Sequence, residues 1–299
     1  MCDQEKRFYP IQESKEGVKY VDVKDVEEKV SLTQGNSKVG DNVWCYNTSI
    51  WYTCRHDCEC FKGYIDANGN KVNPPCYAQA GLYQIPSNQA GYTANYKFTL
   101  NHTAQELAIE ILFIMKSNPN IKKFRWFTCG DFTSKVLEAA VIIAKARPDV
   151  EFWAYTKKYQ LVNRYCYEHG GRASIPSNLV IVFSHWLNHD GTYFPMINIY
   201  KFPTSEFIPV GMEIKLQDVT YICPCSDPSI LANCCNCEHP CYRLQDGQSM
   251  ALVEHSTKAS AARDKETRAA HKALKEAAKA EKAAAKAAKK AEKAARKTA

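Results

Sequence analysis

The sequence predicts an α/β protein built on a parallel sheet, and three observations carry that prediction. Strand-like and helix-like segments alternate: Lys123 to Thr128 before Thr133 to Arg147, then Glu151 to Tyr155 before Lys157 to Glu168. The run NLVIVF at Asn178–Phe183 is almost wholly apolar, as expected of a strand buried on both faces. A chain of 299 residues with 45% hydrophobic content also has enough apolar material for an ordinary core.

Taken in order, residues 1–30 mix Lys and Glu with a few Val and form an arm, with a strand expected around Val18–Val23. The α/β core is expected over 31–222. Val43 to Trp51 is aromatic and β-branched and reads as a strand. A helix is expected to start near Tyr77–Tyr83 and to be interrupted at Pro86. Asn101 is expected to cap a helix from His102 to Ser117, where Leu107, Ile111, Ile114 and Met115 recur at helical spacing. Cys129-Gly130-Asp131 reads as a tight turn between the next strand and helix, and Gly170-Gly171 stops the following one. Beyond Trp186 the pattern weakens, with short strands expected at Phe207–Val210 and Asp218–Ile222. A partial barrel is preferred over an open sheet.

Fourteen cysteines fall mainly into two groups. The first is TCRHDCECFKGYIDANGNKVNPPCYA at Thr53–Ala78, which holds Cys54, Cys58, Cys60 and Cys76. Thiolates at short spacings closed by a more distant one are the ligand pattern of zinc or an iron–sulfur cluster. The turn sequence Asp66–Asn70, with its Asn-Gly, allows a hairpin that returns Cys76 to the others. The second group is CPCSDPSILANCCNCEHPC within a segment at 223–258. There Cys223, Cys234, Cys237 and Cys241 have ligand spacing, Cys225 and Cys235 are spare, and His239 is either a substitute ligand or a loop residue. Disulfides are the competing reading. The charged start MCDQEKRFYPIQESKEG and the absence of a bilayer-length apolar run predict a cytoplasmic protein without a membrane partner, where disulfides are rare.

The net charge of +7 is unevenly placed. From Arg263 to Ala299 there are thirteen Lys or Arg against five Asp or Glu, so the tail is +8 and everything before it is −1. Residues 259–299 are dominated by Ala, Lys and Glu, strong helix formers, without Gly or Pro. Lys272, Lys275, Lys279, Lys282, Lys286, Lys289, Lys293 and Arg296 share one helical face with no apolar stripe opposite. Such a face is either a solvated surface or a phosphate-binding stripe, so any nucleic-acid partner is expected at 263–299.

FRWFTCGDF (Phe124–Phe132), FWAYTKKYQLVN (Phe152–Asn163) and NLVIVFSHW (Asn178–Trp186) resemble the phage gene product 88 family. The resemblance also covers GNSK at Gly35–Lys38, CYA at Cys76–Ala78 and the C-terminal cysteines, from about Gly35 to Arg243. The layout is in turn similar to that of radical S-adenosylmethionine proteins. That likeness implies a partial (β/α) barrel with a cysteine loop after the first strand holding a 4Fe–4S cluster, one iron of which is left for the cofactor. It implies Cys54, Cys58 and Cys76 as ligands, although Cys60 is an alternative because neither Cys60 nor Cys76 keeps the usual C-x-x-x-C-x-x-C spacing. Gly130, Asp131 and Lys157 take the cofactor-binding positions, against a reading as an ordinary turn and helix-start lysine. The C-terminal group is then a second cluster or a structural zinc site. The implied function is a phage or mobile-element iron–sulfur enzyme using S-adenosylmethionine. The alternative is a non-catalytic zinc protein that holds nucleic acid by its tail.

The tail reading has a direct test. The intact chain is expected to bind duplex and single-stranded DNA and RNA with affinity that falls steeply with salt and depends little on sequence, because neutralising phosphates releases counterions. A chain ending at Ser260 should lose that binding. Equal binding by both, or none by either at low salt, removes the nucleic-acid role.

Overall fold

The structure, a computed structural model, describes residues 21–35, 39–55, 58, 64–65, 71–72, 76–79, 81–186, 195–208, 219–224 and 233–253. The expected tail helix, Cys60, Cys225, the Asp66–Asn70 turn and most of the N-terminal arm lie outside these residues. Of the strand expected at Val18–Val23, the described part instead begins a 3-10 turn at Val23–Asp25, capped by the Asp22 side chain.

Eight strands make one open sheet: β1 (Leu32–Gln34), β2 (Val43–Tyr46), β5 (Lys123–Trp126), β6 (Glu151–Thr156), β7 (Leu179–Trp186), β8 (Thr204–Ile208), β9 (Tyr221–Ile222) and β10 (Ser249–Val253). Their order is β1-β2-β5-β6-β7-β8-β10-β9, with only β1 antiparallel to its neighbour. From β2 to β8 the spatial order follows the chain order. Each crossover therefore advances the sheet in the same direction, without the reversal of a doubly wound fold. A separate antiparallel ribbon pairs β3 (Tyr64–Ile65) with β4 (Lys71–Val72), on either side of the Asn68-Gly69 sequence, as the hairpin reading expects. The segment 223–258 contributes β10 to the main sheet, between β8 and β9.

The helices are α1 (Ile50–Thr53), α2 (Pro86–Asn101), α3 (Ala104–Ser117), α4 (Ser134–Ala146) and α5 (Tyr159–Glu168). Helix α3 begins at a capping box in which Thr103 and Glu106 satisfy each other's free amides, two residues after the Asn101 cap read from sequence. Thr133 caps α4 through the Val136 amide. Pro86 opens α2 rather than interrupting a helix, because the first turn needs no N–H from it. The upstream stretch forms 3-10 turns at Tyr77–Gln79 and Gly81–Gln84. Helix α2 has no apolar stripe to read; its buried face carries Gln89, Thr93 and Asn95.

Strand side chains divide between two environments. Phe124, Trp126, Phe152, Ala154, Leu179, Ile181 and Phe183 meet α3, α4 and α5 through Leu107, Ile111, Leu137, Val141 and Val162. On the opposite face Cys45, Arg125, Trp153 and Val180 lie in register across β2, β5, β6 and β7. That face is covered by the cysteine-rich segment: Cys241, Tyr242 and Leu244 pack with Val43, Cys45, Trp153, Val180 and Val182, and Tyr242 sits 5.0 Å from the Trp153 ring. The apolar run of β7 is thus explained, since Leu179, Ile181 and Phe183 face the helices while Val180 and Val182 face the cysteine segment.

One side chain closes the carboxyl edge of the sheet. The buried Asn47 Oδ1 accepts from Thr128 N (2.8 Å), Thr128 Oγ1 (2.9 Å) and Cys129 N (3.1 Å), and its Nδ2 donates to Thr33 Oγ1 (2.9 Å). Asn95 in α2 donates to the Asn47 carbonyl (2.8 Å) and to the Ser31 carbonyl (3.0 Å). Replacing Asn47 by Ala leaves two buried amides without an acceptor, each costing about 1–3 kcal/mol. Asn47→Ala is therefore expected to lose roughly 2–5 kcal/mol in urea unfolding. A loss under about 0.5 kcal/mol would remove Asn47 from this role.

Candidate functional site

The loops after β2, β5 and β6 meet at the carboxyl ends of the parallel strands, where such folds place their sites. After β2, Thr48 and Ser49 lead into α1, which ends at Cys54; the Cys54 amide donates to Ile50 O (3.2 Å). After β5 the chain turns sharply. Phe127 has φ +63°, its amide donating to Tyr46 O (2.9 Å), and Gly130 has φ +101°. A Cβ at Gly130 would lie 2.1 Å from Thr48 Oγ1 and 2.6 Å from Thr48 O, so only glycine fits beneath the first loop. Thr48 N donates to Cys129 O (3.0 Å) and Asp131 N to Thr53 Oγ1 (3.0 Å), which pins the start of the cysteine loop to the Gly-Asp turn.

Asp131 is buried and well supplied with donors. Its Oδ1 accepts from Thr156 Oγ1 (2.6 Å) and Phe132 N (2.8 Å), and its Oδ2 from Lys157 N (3.0 Å). These bonds tie the β5 turn to the end of β6. Burial nevertheless outweighs them, and the carboxyl is held above its ordinary value. Gly130, Asp131 and Lys157 are therefore contiguous, joined by a backbone-to-carboxylate bond.

The first cysteine group gathers beside this turn. Cys54 and Cys76 pack with Cys129, Ile50, Ala78 and Tyr92. Burial pushes the Cys54 thiol well up, reinforced by the charges of Asp131, Cys76 and Cys129 and opposed by Lys157. Burial also raises Cys76; Lys157 and the amides of Ala78 and Gln79 favour its thiolate, while nearby Cys58 disfavours it. Cys58 is buried at the edge of the helix-side core, its amide donating to Arg55 O (3.3 Å). Cys54, Cys58, Cys76, Asp131 and Lys157 thus share one neighbourhood. Cys129 belongs to it as well. Sequence reading missed it because it has no short cysteine spacing, only its place before Gly130.

The second group gathers on the sheet face opposite the helices. Cys241 is buried, its thiol pushed up to about 12 by burial, with Tyr155 opposing that shift and Cys223 and Cys234 adding to it. Burial likewise raises Cys237, whose thiolate the His239 amide favours while Cys223 and Cys234 disfavour it. All four predicted ligands of this group are therefore neighbours. His239 stacks on Tyr221 with ring centres 5.1 Å apart. Cys235 is structural: its Sγ donates to Val39 O (3.6 Å), and a Cβ at Gly40 would come within 2.5 Å of it. Cys45 on β2, absent from the sequence reading, joins this side, pushed up to about 12 by burial with Arg125 opposing and Cys234 adding.

Among the described residues, no three His, Cys, Asp or Glu side chains converge closely enough to hold a metal ion as they stand. The donor chemistry of both groups still fits a soft metal, since each gathers several thiols beside an amide that favours the thiolate. Among the described residues no helix is long and apolar enough to cross a membrane.

The family model described as gene product 88 matches residues 29–204, more than half of the chain. The match spans β1 to the first residue of β8, with the first cysteine group, Gly130, Asp131 and Lys157, and stops short of the second group. No curated protein and no solved structure matches the chain.

The buried Asp131 carboxyl makes a pH prediction. Because its folded value is raised, the native state holds this proton more tightly than the unfolded chain. Stability is lost as pH rises from the ordinary carboxyl range through the raised value, and the cost is complete above it. In Asp131→Asn the neutral amide removes that cost. Urea midpoints between about pH 4 and pH 7 should therefore show the variant gaining on the wild type as pH rises. A constant difference across that range would mean that Asp131 does not titrate this way.

Proposed function

The chain belongs to the gene product 88 family, and we propose that it is an iron–sulfur enzyme of the radical S-adenosylmethionine type. The observation that carries this reading is the shared neighbourhood of Cys54, Cys58 and Cys76 with Asp131 and Lys157 at the carboxyl ends of the strands. The order β2-β5-β6-β7-β8, wound in one direction with the helices on one face, supports a partial (β/α) barrel, an arrangement that presents these loops over an interior face.

In this reading Cys54, Cys58 and Cys76 would hold a 4Fe–4S cluster, with Cys60 the alternative third ligand, and a cluster with one iron free of protein ligands would supply one-electron reduction of S-adenosylmethionine, the radical chemistry being the cofactor's own. The protein's contribution is binding and orientation. Gly130 keeps the turn low enough for the loop to close over it. Asp131 has spent three acceptor positions on Thr156, Phe132 and Lys157; the remaining lone pair on Oδ2 suits a ligand ammonium. Lys157 offsets the negative charge that accumulates at Cys54 and Cys76.

A second reading concerns Cys223, Cys234, Cys237 and Cys241. Four thiols from one covering segment make a closed set, suited to structural zinc or to a second cluster rather than to an open catalytic position. Binding there would supply folding energy to the segment over Trp153 and Val182.

Anaerobically purified protein is expected to be brown, and iron and sulfide should be lost in Cys54→Ala, Cys58→Ala and Cys76→Ala but largely kept in Cys60→Ala. With reductant and S-adenosylmethionine the reconstituted protein should release 5′-deoxyadenosine. Asp131→Ala should weaken cofactor binding by about 1.5–3 kcal/mol. Colourless protein containing only zinc, or no cleavage product from a fully reconstituted sample, would sink the enzyme reading in favour of the zinc module.

A further inference from the structure

Neither cysteine group accounts for the cation between them. Arg125 stands in the middle of β5 on the face opposite the helices, half-buried, with Cys45 and Trp153 beside it in register. Its guanidinium is charged at any working pH and offers five N–H donors. Its partners among the described residues are neutral: Nε donates to Phe127 O (3.1 Å), and Cζ lies 5.2 Å from the centre of the Tyr155 ring. Glu151, a carboxylate on this face, is already paired with Arg243 (2.9 Å). A second cation, Lys123, lies two residues away on the same face, 4.9 Å from the Tyr242 ring and 3.4 Å from Cys235 O. The fully buried Trp153 Nε1, also on this face, has no acceptor among the described residues. Electrostatic neighbours of Arg125 come from both groups, Tyr77 beside Cys76 and Cys234 from the covering segment.

A half-buried cation whose partners among the described residues are neutral, and whose guanidinium donates to them only through Nε, suits bidentate capture of an oxyanion. We infer that Arg125 is the anchor for a carboxylate or phosphate group of a small ligand bound on the interior face, between the two cysteine groups. This goes beyond the iron–sulfur reading and does not require it. It narrows the substrate class to acidic small molecules.

The test uses the full chain, titrated with inorganic phosphate and with succinate at ionic strength held constant by chloride. Wild-type protein is expected to show a saturable rise in Tm of about 2–4 °C with one of the two, and which one identifies the oxyanion. R125Q should abolish the shift, and R125K, which keeps the charge without the fork, should weaken the apparent Kd at least about tenfold. No shift in the wild type with either anion overturns the inference. So does an equal shift in R125Q, or, if that variant does not fold, an unchanged Kd in R125K. Metal content measured on the same samples separates the two readings. An anion shift in colourless protein would uphold Arg125 while the cluster reading fails. Loss of metal in R125Q without any anion-dependent shift in the wild type would make Arg125 a counter-ion of the cysteines instead.

Discussion

The carboxyl edge of this sheet depends on one amide. Asn47 accepts three hydrogen bonds from the turn after β5 and receives one on its own carbonyl from α2, so two segments far from it in the chain converge on a single residue. Without that acceptor the Thr128 and Cys129 amides would be buried unsatisfied. With it, the turn lies close enough to Thr48 that position 130 admits only glycine, and Asp131 reaches Thr53 through its amide and Thr156 and Lys157 through its carboxylate. The placement of Cys54, Cys129, Asp131 and Lys157 follows from this one knot of polar contacts, and so does any chemistry they perform.

The two faces of the sheet have different tasks. The helix side is a close-packed aromatic and aliphatic core, with Phe124, Trp126, Phe152 and Phe183 in mutual or shared contact, and it makes the scaffold stiff. The other face mixes thiols, phenols and cations under a covering segment that itself adds β10 to the sheet. Covering segment and sheet therefore stabilise each other. A metal at Cys223, Cys234, Cys237 and Cys241 would act on the sheet face beneath the cover as well as on its own loop. The family match ends before this segment, which makes the cover the part of the architecture that the matched region does not include.

Much of the fold is legible because its elements obey local rules. The alternation from Lys123 to Phe183 follows burial on two faces of a parallel sheet, and the ends of α3 and α4 follow cap residues. Helix α2 was not legible, because what it buries is polar. Asn95 is in the interior to donate to Ser31 and Asn47, and a helix selected for hydrogen bonds carries no apolar period. For the same reason no pattern in the sequence marks Asn47.

By itself the sequence determined the α/β class, the strand pair on either side of Asn68-Gly69, the two cysteine groups and the sharp turn at Gly130-Asp131, since each rests on spacing or on backbone conformations that few residues tolerate. Only the tertiary structure decided that Cys129 joins the first group and Cys45 the second, that Cys235 packs under Gly40, and that Arg125 lies between the groups with neutral partners. Those relations link positions separated by tens to nearly two hundred residues. Proximity of that kind comes from strand order and register, and no local pattern of residues records it.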